Sequence, residues 1–202
     1  MRVIQTNEPI VLRGRYLVTD PCYVYGDGDW SRFCDLLFGN EERVAGVSRN
    51  SIPPPDYDAI EKMVDPKEAL RMLLDADKAY EAKRREAEIK WGESRRSVIT
   101  LFEIDGKQVP VMSTAYGDGG YPVFDPTTGA EAGSFGVDAG LFAFIPWTGE
   151  SGMRSDLGTI IELEGVLTCV GGDAFINGKL VVDTSGQSYE EDEDENEDSD
   201  PV

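Results

Sequence analysis

Val98-Ile99-Thr100-Leu101-Phe102-Glu103-Ile104, then Asp105-Gly106, then Lys107-Gln108-Val109-Pro110-Val111-Met112, carries the clearest secondary-structure signal in the chain. Two runs rich in β-branched and aromatic residues flank an Asp-Gly pair. That pair supplies the left-handed backbone of a two-residue hairpin, so the stretch predicts two antiparallel strands. The same grammar continues downstream. Tyr121-Pro122-Val123-Phe124 leads through Asp125-Pro126-Thr127-Thr128-Gly129 to Ser134-Phe135-Gly136-Val137-Asp138, and Leu141-Phe142-Ala143-Phe144-Ile145 follows. Thr159-Ile160-Ile161-Glu162-Leu163 and Val166-Leu167-Thr168-Cys169-Val170 read as two further strands. A last hairpin joins Ala174-Phe175-Ile176 to Leu180-Val181-Val182 across Asn177-Gly178. Short strands at this spacing predict an α+β, mainly β protein, an antiparallel sandwich or partly open barrel.

Upstream of the hairpin the pattern changes. Residues 9–18 read as a strand ended by Asp20-Pro21, and Cys22-Tyr23-Val24-Tyr25 as a second short strand stopped at Gly26-Asp27-Gly28. Asp29 can cap a short helix carrying Trp30, Phe33, Leu36 and Leu37 at helical spacing, with Gly39-Asn40 as its end. Residues 41–58, with Pro53-Pro54-Pro55, read as irregular. A long helix is expected from Asp65 as N-cap, with Pro66 in its first position, to Trp91-Gly92. Its apolar members Ala69, Leu70, Leu73, Leu74 and Tyr80 give way to a charged stretch around Lys83-Arg84-Arg85, so it should lie thinly on the body. Residues 55–95 thus form a helical insertion in a single β-rich domain of residues 1–185. The segment 186–202 is almost devoid of apolar residues and is expected to be a disordered acidic tail.

Charge narrows the function classes. The chain has 39 acids, 19 bases and no histidine, a formal net charge of −20. Nine of the acids lie in residues 190–200, so the remainder still carries 30 acids against 19 bases, a net −11. Residues 1–107 hold 20 acids and 17 bases, whereas residues 108–189 hold 10 acids and only Arg154 and Lys179 as bases. A field of this sign repels phosphate backbones and attracts basic partners, which argues against direct nucleic-acid binding. No apolar run is long enough for a membrane span. The first residues lack the basic-then-apolar pattern of a signal peptide, and three widely spaced cysteines do not form a disulfide framework. A cytoplasmic location with reduced thiols is expected.

Three segments stand out as motifs: Asp20-Pro21-Cys22-Tyr23-Val24, then Ser113-Thr114-Ala115-Tyr116-Gly117-Asp118-Gly119-Gly120-Tyr121-Pro122-Val123, then Phe135-Gly136-Val137-Asp138-Ala139-Gly140-Leu141. Together they resemble a group of small uncharacterised phage-encoded and bacterial proteins that share DPCY-type, YGDG-x-Y and F-x-VD-x-G motifs. The resemblance covers roughly residues 9–40 and 97–146 and leaves the long helix outside. It implies a phage or mobile-element origin, hence a host cytoplasm, and carries no established activity.

The residues offer few routes to chemistry. Tyr116, Gly117, Asp118, Gly119 and Tyr121 are candidate ligand-binding residues, because glycines let a ligand approach backbone N–H groups. The segment lacks the Gly-Lys-Ser/Thr ending of a phosphate-binding loop, and it reads equally as a tight turn between strands. Asp20, Asp27, Asp29, Asp118, Asp125 and Asp138 are potential oxygen ligands, but no spacing matches a dedicated metal loop, and neither metal nor cofactor is expected. Cys22 has no histidine to activate it. The basic residues Lys83, Arg84, Arg85, Lys90, Arg95 and Arg96 alternate with Glu81, Glu86, Glu88 and Glu93, the pattern of a solvated helix face.

The expectation is therefore a non-enzymatic acidic binding protein, an inhibitor or adaptor that presents carboxylates to a basic host protein in the manner of a DNA mimic. Glu131, Asp138, Glu150 and Asp156 are its candidate partner-binding residues. The oligomeric state is left open. Three alternatives remain: a protein that binds or sequesters a small nucleotide signal near Tyr116 and Tyr121, a single-strand-binding protein with an acidic tail, or a phage structural or assembly component. A truncation ending near Ser185 should keep the thermal midpoint of the full chain or raise it slightly, because the tail has little apolar surface to offset its ordering entropy. A fall of many degrees in a thermal melt would show that the tail packs.

Overall fold

The computed structural model describes residues 1–26, 28–46, 53–62, 65–149 and 155–186. The chain is mainly β: ten strands form one antiparallel sheet that does not close on itself. In chain order these are β1 (Arg2–Ile4), β2 (Val11–Thr19), β3 (Thr100–Ile104), β4 (Lys107–Ser113), β5 (Gly119–Phe124), β6 (Glu131–Val137), β7 (Leu141–Pro146), β8 (Thr159–Val170), β9 (Asp173–Ile176) and β10 (Lys179–Val182). Across the sheet the order is β1-β3-β4-β7-β2-β8-β9-β10-β5-β6. The helices α1 (Cys22–Tyr25), α2 (Trp30–Ala45), α3 (Tyr57–Glu61) and α4 (Pro66–Arg95) all fall between β2 and β3.

Both predicted hairpins form with the backbone their turn residues require. Asp105 and Gly106 have φ of 50° and 75°, Asn177 and Gly178 of 51° and 77°, and the register runs Ile104↔Lys107 and Ile176↔Lys179. Positive φ at both central residues lets the turn twist with its strands.

The uninterrupted apolar runs have a clear physical cause. β4 and β7 are buried on both faces, so neither alternates between apolar and polar residues. Met112, Phe142 and Phe144 face one core, shared with Tyr16, Val18, Tyr121, Phe135 and Ile161, where the sheet curls over itself. Val111, Leu141, Ala143 and Ile145 face a second core, which α2 covers with Phe33 and Leu37. Phe33 is fully buried and stacks on Phe102 at 4.5 Å between centroids and on Trp30 at 4.9 Å. Strand β8 explains the curl. Its first half pairs with β2 and its second half with β9, so one long strand belongs to both parts of the sheet. The segments 159–163 and 166–170, expected as separate strands, are one strand carried through Gly165.

Other boundaries also differ from expectation. Cys22-Tyr23-Val24-Tyr25 is a helical turn and not a strand, because the Asp20 carboxylate accepts from the Cys22 N–H and Pro21 adopts helical angles. Local hydrogen bonding thus overrides β propensity. Helix α2 does not stop at Gly39-Asn40. Asn40 is buried and its amide donates to Thr100 Oγ1, so the helix continues to a left-handed cap at Gly46. Part of the segment expected to be irregular is therefore helical, at the end of α2 and in α3. Arg2–Ile4 adds an unexpected edge strand on β3, anchored by Arg2 on Glu103 at 3.0 Å.

Helix α4 begins as expected, with the Asp65 side chain accepting from the Lys67 N–H. Ala69 is buried, Leu70 and Leu74 are exposed, and Arg84 pairs with Glu81 and Glu88 on a solvated face. The helix runs beyond Trp91-Gly92 to Arg95, and that last turn is tied to the sheet. Arg95 Nε donates to Ser113 Oγ at 3.0 Å, Ser113 donates to the buried Glu41 carboxylate at 2.8 Å, and Gly172 N–H donates to the Arg96 carbonyl at 2.6 Å. No helix among the described residues is long and apolar enough to cross a membrane. The acidic tail lies outside the described residues, apart from Gly186.

Phe33→Ala should cost about 3–5 kcal/mol, the usual range for deleting a fully packed aromatic side chain. Chemical denaturation with far-UV detection measures it, and a loss below about 1 kcal/mol would mean that α2 does not seal the second core.

Candidate functional site

The three motif segments, far apart in sequence, meet at one place, and Asp20 joins two of them. Asp20 ends β2 fully buried. Its Oδ1 accepts from the Cys22 N–H at 2.8 Å, and its Oδ2 accepts from the N–H groups of Asp138 and Ala139 at 2.8 and 2.7 Å. One carboxylate therefore fixes both the α1 turn and the β6–β7 connection. The third segment docks on the second through backbone contact. A side chain at Gly140 (φ 64°) would meet Gly117 Cα at 3.5 Å, and Thr114 N–H donates to the Gly140 carbonyl.

The glycine-rich segment is a closed turn. Thr114 Oγ1 accepts from the Gly117 N–H at 2.9 Å and donates to the Gly117 carbonyl at 2.8 Å, and the Tyr121 hydroxyl donates to that same carbonyl. Tyr121 is fully buried and is a core residue. Tyr116 and Asp118 are exposed, while Gly119 opens β5. Beneath the turn, Thr184 Oγ1 accepts from Ala115 N–H and donates to the Gly172 carbonyl. Gly172 has φ of 99°, and a Cβ there would strike Ala115 N at 2.4 Å, so only glycine fits.

Two clefts adjoin these segments. The first, about 460 Å³, is lined by Tyr23, Gly120, Ser134, Gly136, Asp156 and Gly158 among others. Tyr23 lies against Gly136, with the Asp138 carboxylate near its hydroxyl. Desolvation, followed by the interaction with Asp138, pushes the phenol up to about 12. The second, about 340 Å³, is lined by Gly92, Arg95, Arg96, Thr114, Ala115, Tyr116, Gly117 and Gly140. A third cleft of about 450 Å³ lies elsewhere, with mixed charge from Arg13, Asp125, Glu162, Glu164 and Lys179.

Of the candidate partner-binding acids, Asp138 and Asp156 both lie at the Tyr23 cleft. Glu131 is exposed at the start of β6, three residues before the cleft-lining Ser134 and so about 10 Å along the strand from it, and Glu150 lies outside the described residues. Asp27 also lies outside them, and among the described residues no three His, Cys, Asp or Glu side chains are grouped to hold a metal. Cys22 is half-buried, and burial, then Asp20, then Asp138 and Asp118, push its thiol up to about 12. At neutral pH it is protonated and a poor nucleophile.

Tyr23 as a surface residue is not legible in the sequence because β propensity puts it in a strand, and Arg95 and Arg96 read there as a solvated helix face because only the fold carries the end of α4 to the Tyr116 turn. No family model, curated protein or solved structure matches this chain.

Asp20→Ala should destabilise the protein by several kcal/mol, since three N–H donors lose their acceptor at roughly 1–3 kcal/mol for each one left buried and unpaired. Asp20→Asn, which keeps an acceptor, should cost less. Alkylation of Cys22 by iodoacetamide at pH 8 should be at least about tenfold slower than that of an exposed cysteine, and faster in Asp138→Asn, which removes a charge opposing thiolate. Mass mapping of the alkylated protein measures the rates, and rapid labelling of Cys22 in the unmodified protein would refute the assignment of its environment.

Proposed function

We propose that this is a non-enzymatic binding protein whose acidic face, centred on Tyr23, receives basic side chains of a protein partner. The observation that carries the reading is the cleft in which an exposed phenol ring lies beside glycine backbone at Gly120 and Gly136, with Asp138 and Asp156 beside it. A lysine or arginine entering it would meet a ring face and two carboxylates, and the glycines would let its stem lie close to the strands. The surrounding charge favours such a partner, since residues 108–189 hold 10 acids and only two bases.

Spaced carboxylates also stand in electrostatically for phosphates. A basic host protein that ordinarily holds nucleic acid is the partner class this surface suits, and the protein would act on it as an inhibitor or adaptor. The raised thiol of Cys22 and the lack of histidine weigh against nucleophilic or acid–base catalysis at the motif cluster.

The test is association kinetics with a basic partner captured from host lysate and then purified, measured across a salt series. Association should slow as salt shortens the Debye length to ~8 Å near physiological strength. Asp138→Lys and Asp156→Lys should each slow it about tenfold, Glu131→Lys should act less, and tail deletion should act less than either cleft reversal. An affinity indifferent to salt and to both cleft reversals would overturn the reading.

A further inference from the structure

The second cleft has the opposite chemistry to the first. Its two arginines stand at the end of α4, and they are not equivalent. Arg95 is committed to the fold: its guanidinium lies 4.6 Å from the Trp91 ring centroid, bonds Ser113 and sits 3.8 Å from the Glu41 carboxylate, which balances its charge. Arg96 is exposed, and its guanidinium has no hydrogen bond or ion pair with any described residue. Its backbone is nevertheless fixed, because the Arg96 carbonyl accepts from Gly172 N–H at 2.6 Å and from Cys169 Sγ at 3.3 Å. A free cation thus stands on a rigid base.

Tyr116 lines the same cleft, 55% exposed and without a ring partner among the described residues. Gly92, Gly117 and Gly140 contribute bare backbone, and Thr114 a hydroxyl occupied within the turn. The space, about 340 Å³, lies at the small end of ligand pockets. A guanidinium matches a phosphate by paired N–H donors, and an exposed phenol offers a face on which a flat ring stacks. Free phosphate would leave Tyr116 unused, and a duplex or long single strand would meet the repulsion of a −20 chain.

We propose that this cleft binds a nucleoside monophosphate, with its phosphate on the Arg96 guanidinium and its base against Tyr116. The site is separate from the Tyr23 cleft and does not depend on the acidic-face reading. Affinity should be modest, because the overall field opposes an anion.

Equilibrium dialysis of the full-length protein against adenosine, guanosine, uridine and cytidine monophosphates tests this, with inorganic phosphate and adenosine as separate arms. At least one monophosphate should bind saturably at a single site, and phosphate alone and adenosine alone should bind about tenfold more weakly, each having lost one of the two contacts. Arg96→Gln and Tyr116→Ala should each weaken monophosphate binding about tenfold at unchanged thermal midpoint, whereas Arg85→Gln, on the solvated face of α4, should leave it intact. Absence of saturable binding up to about 10 mM, or binding indifferent to Arg96→Gln, would overturn the proposal. Phosphate binding as tightly as the monophosphates would overturn the role of Tyr116. Asp138→Lys should not abolish nucleotide binding, so failure at either cleft is told apart from failure at the other.

Discussion

A single buried carboxylate organises the surface on which the candidate sites lie. Asp20 sits at the end of β2, the strand that carries Leu17 into one core and Tyr16 and Val18 into the other. A carboxylate taken out of water must be repaid by directed donors, and here three backbone N–H groups do so. The repayment fixes geometry as well as energy. It forces the chain after β2 into the α1 turn, which turns Tyr23 outward and sends Val24 and Tyr25 against the core that α2 seals. It also pins the connection after β6, which places Gly140 against Gly117.

Because β7 is sandwiched between two cores, its ends cannot drift. The loop before it, residues 138–140, inherits that rigidity, as does the turn that Thr114 closes on it. The strands supply a stiff frame, and the short polar bonds at their ends set where side chains emerge. The candidate sites fall at strand ends and turns for this reason, since β4 and β7, buried on both faces, have no side chain to offer a partner.

The fold class was legible because its signals are local: Asp105-Gly106 and Asn177-Gly178 demand one backbone geometry, and apolar runs of five to seven residues demand burial. The misreadings arose where a tertiary bond competes with propensity. Val24 and Tyr25 favour a strand until the Asp20 side chain, two residues before Cys22, bonds the Cys22 N–H. Gly39-Asn40 favours a helix end until Asn40 finds Thr100 across the core. The candidate site was half legible. The motif segments were visible, but their convergence depends on Asp20 reaching residues 138 and 139, which no local pattern encodes. The proximity of Arg96 to Tyr116 depends on the length of α4 and on its seam with Gly172, and composition suggested only that the second half of the chain is poor in bases.

That seam also sets what α4 contributes to the sheet. Most of α4 is solvated and paired with itself, as its charge pattern indicates, yet its last turn brings a cation to the Tyr116 turn. Arg95 is spent on Glu41 and Ser113, and this ties α2, α4 and β4 into one unit. With the Arg95 charge balanced inside the fold, Arg96 is the positive charge left exposed at the Tyr116 turn. The acidic Tyr23 cleft and the Arg96 cleft are thus built on the same motif cluster with opposite signs. Helix α4 thus gives the molecule a local polarity that its net charge conceals: one exposed cation on fixed backbone, lining a cleft whose turn itself carries the exposed Asp118.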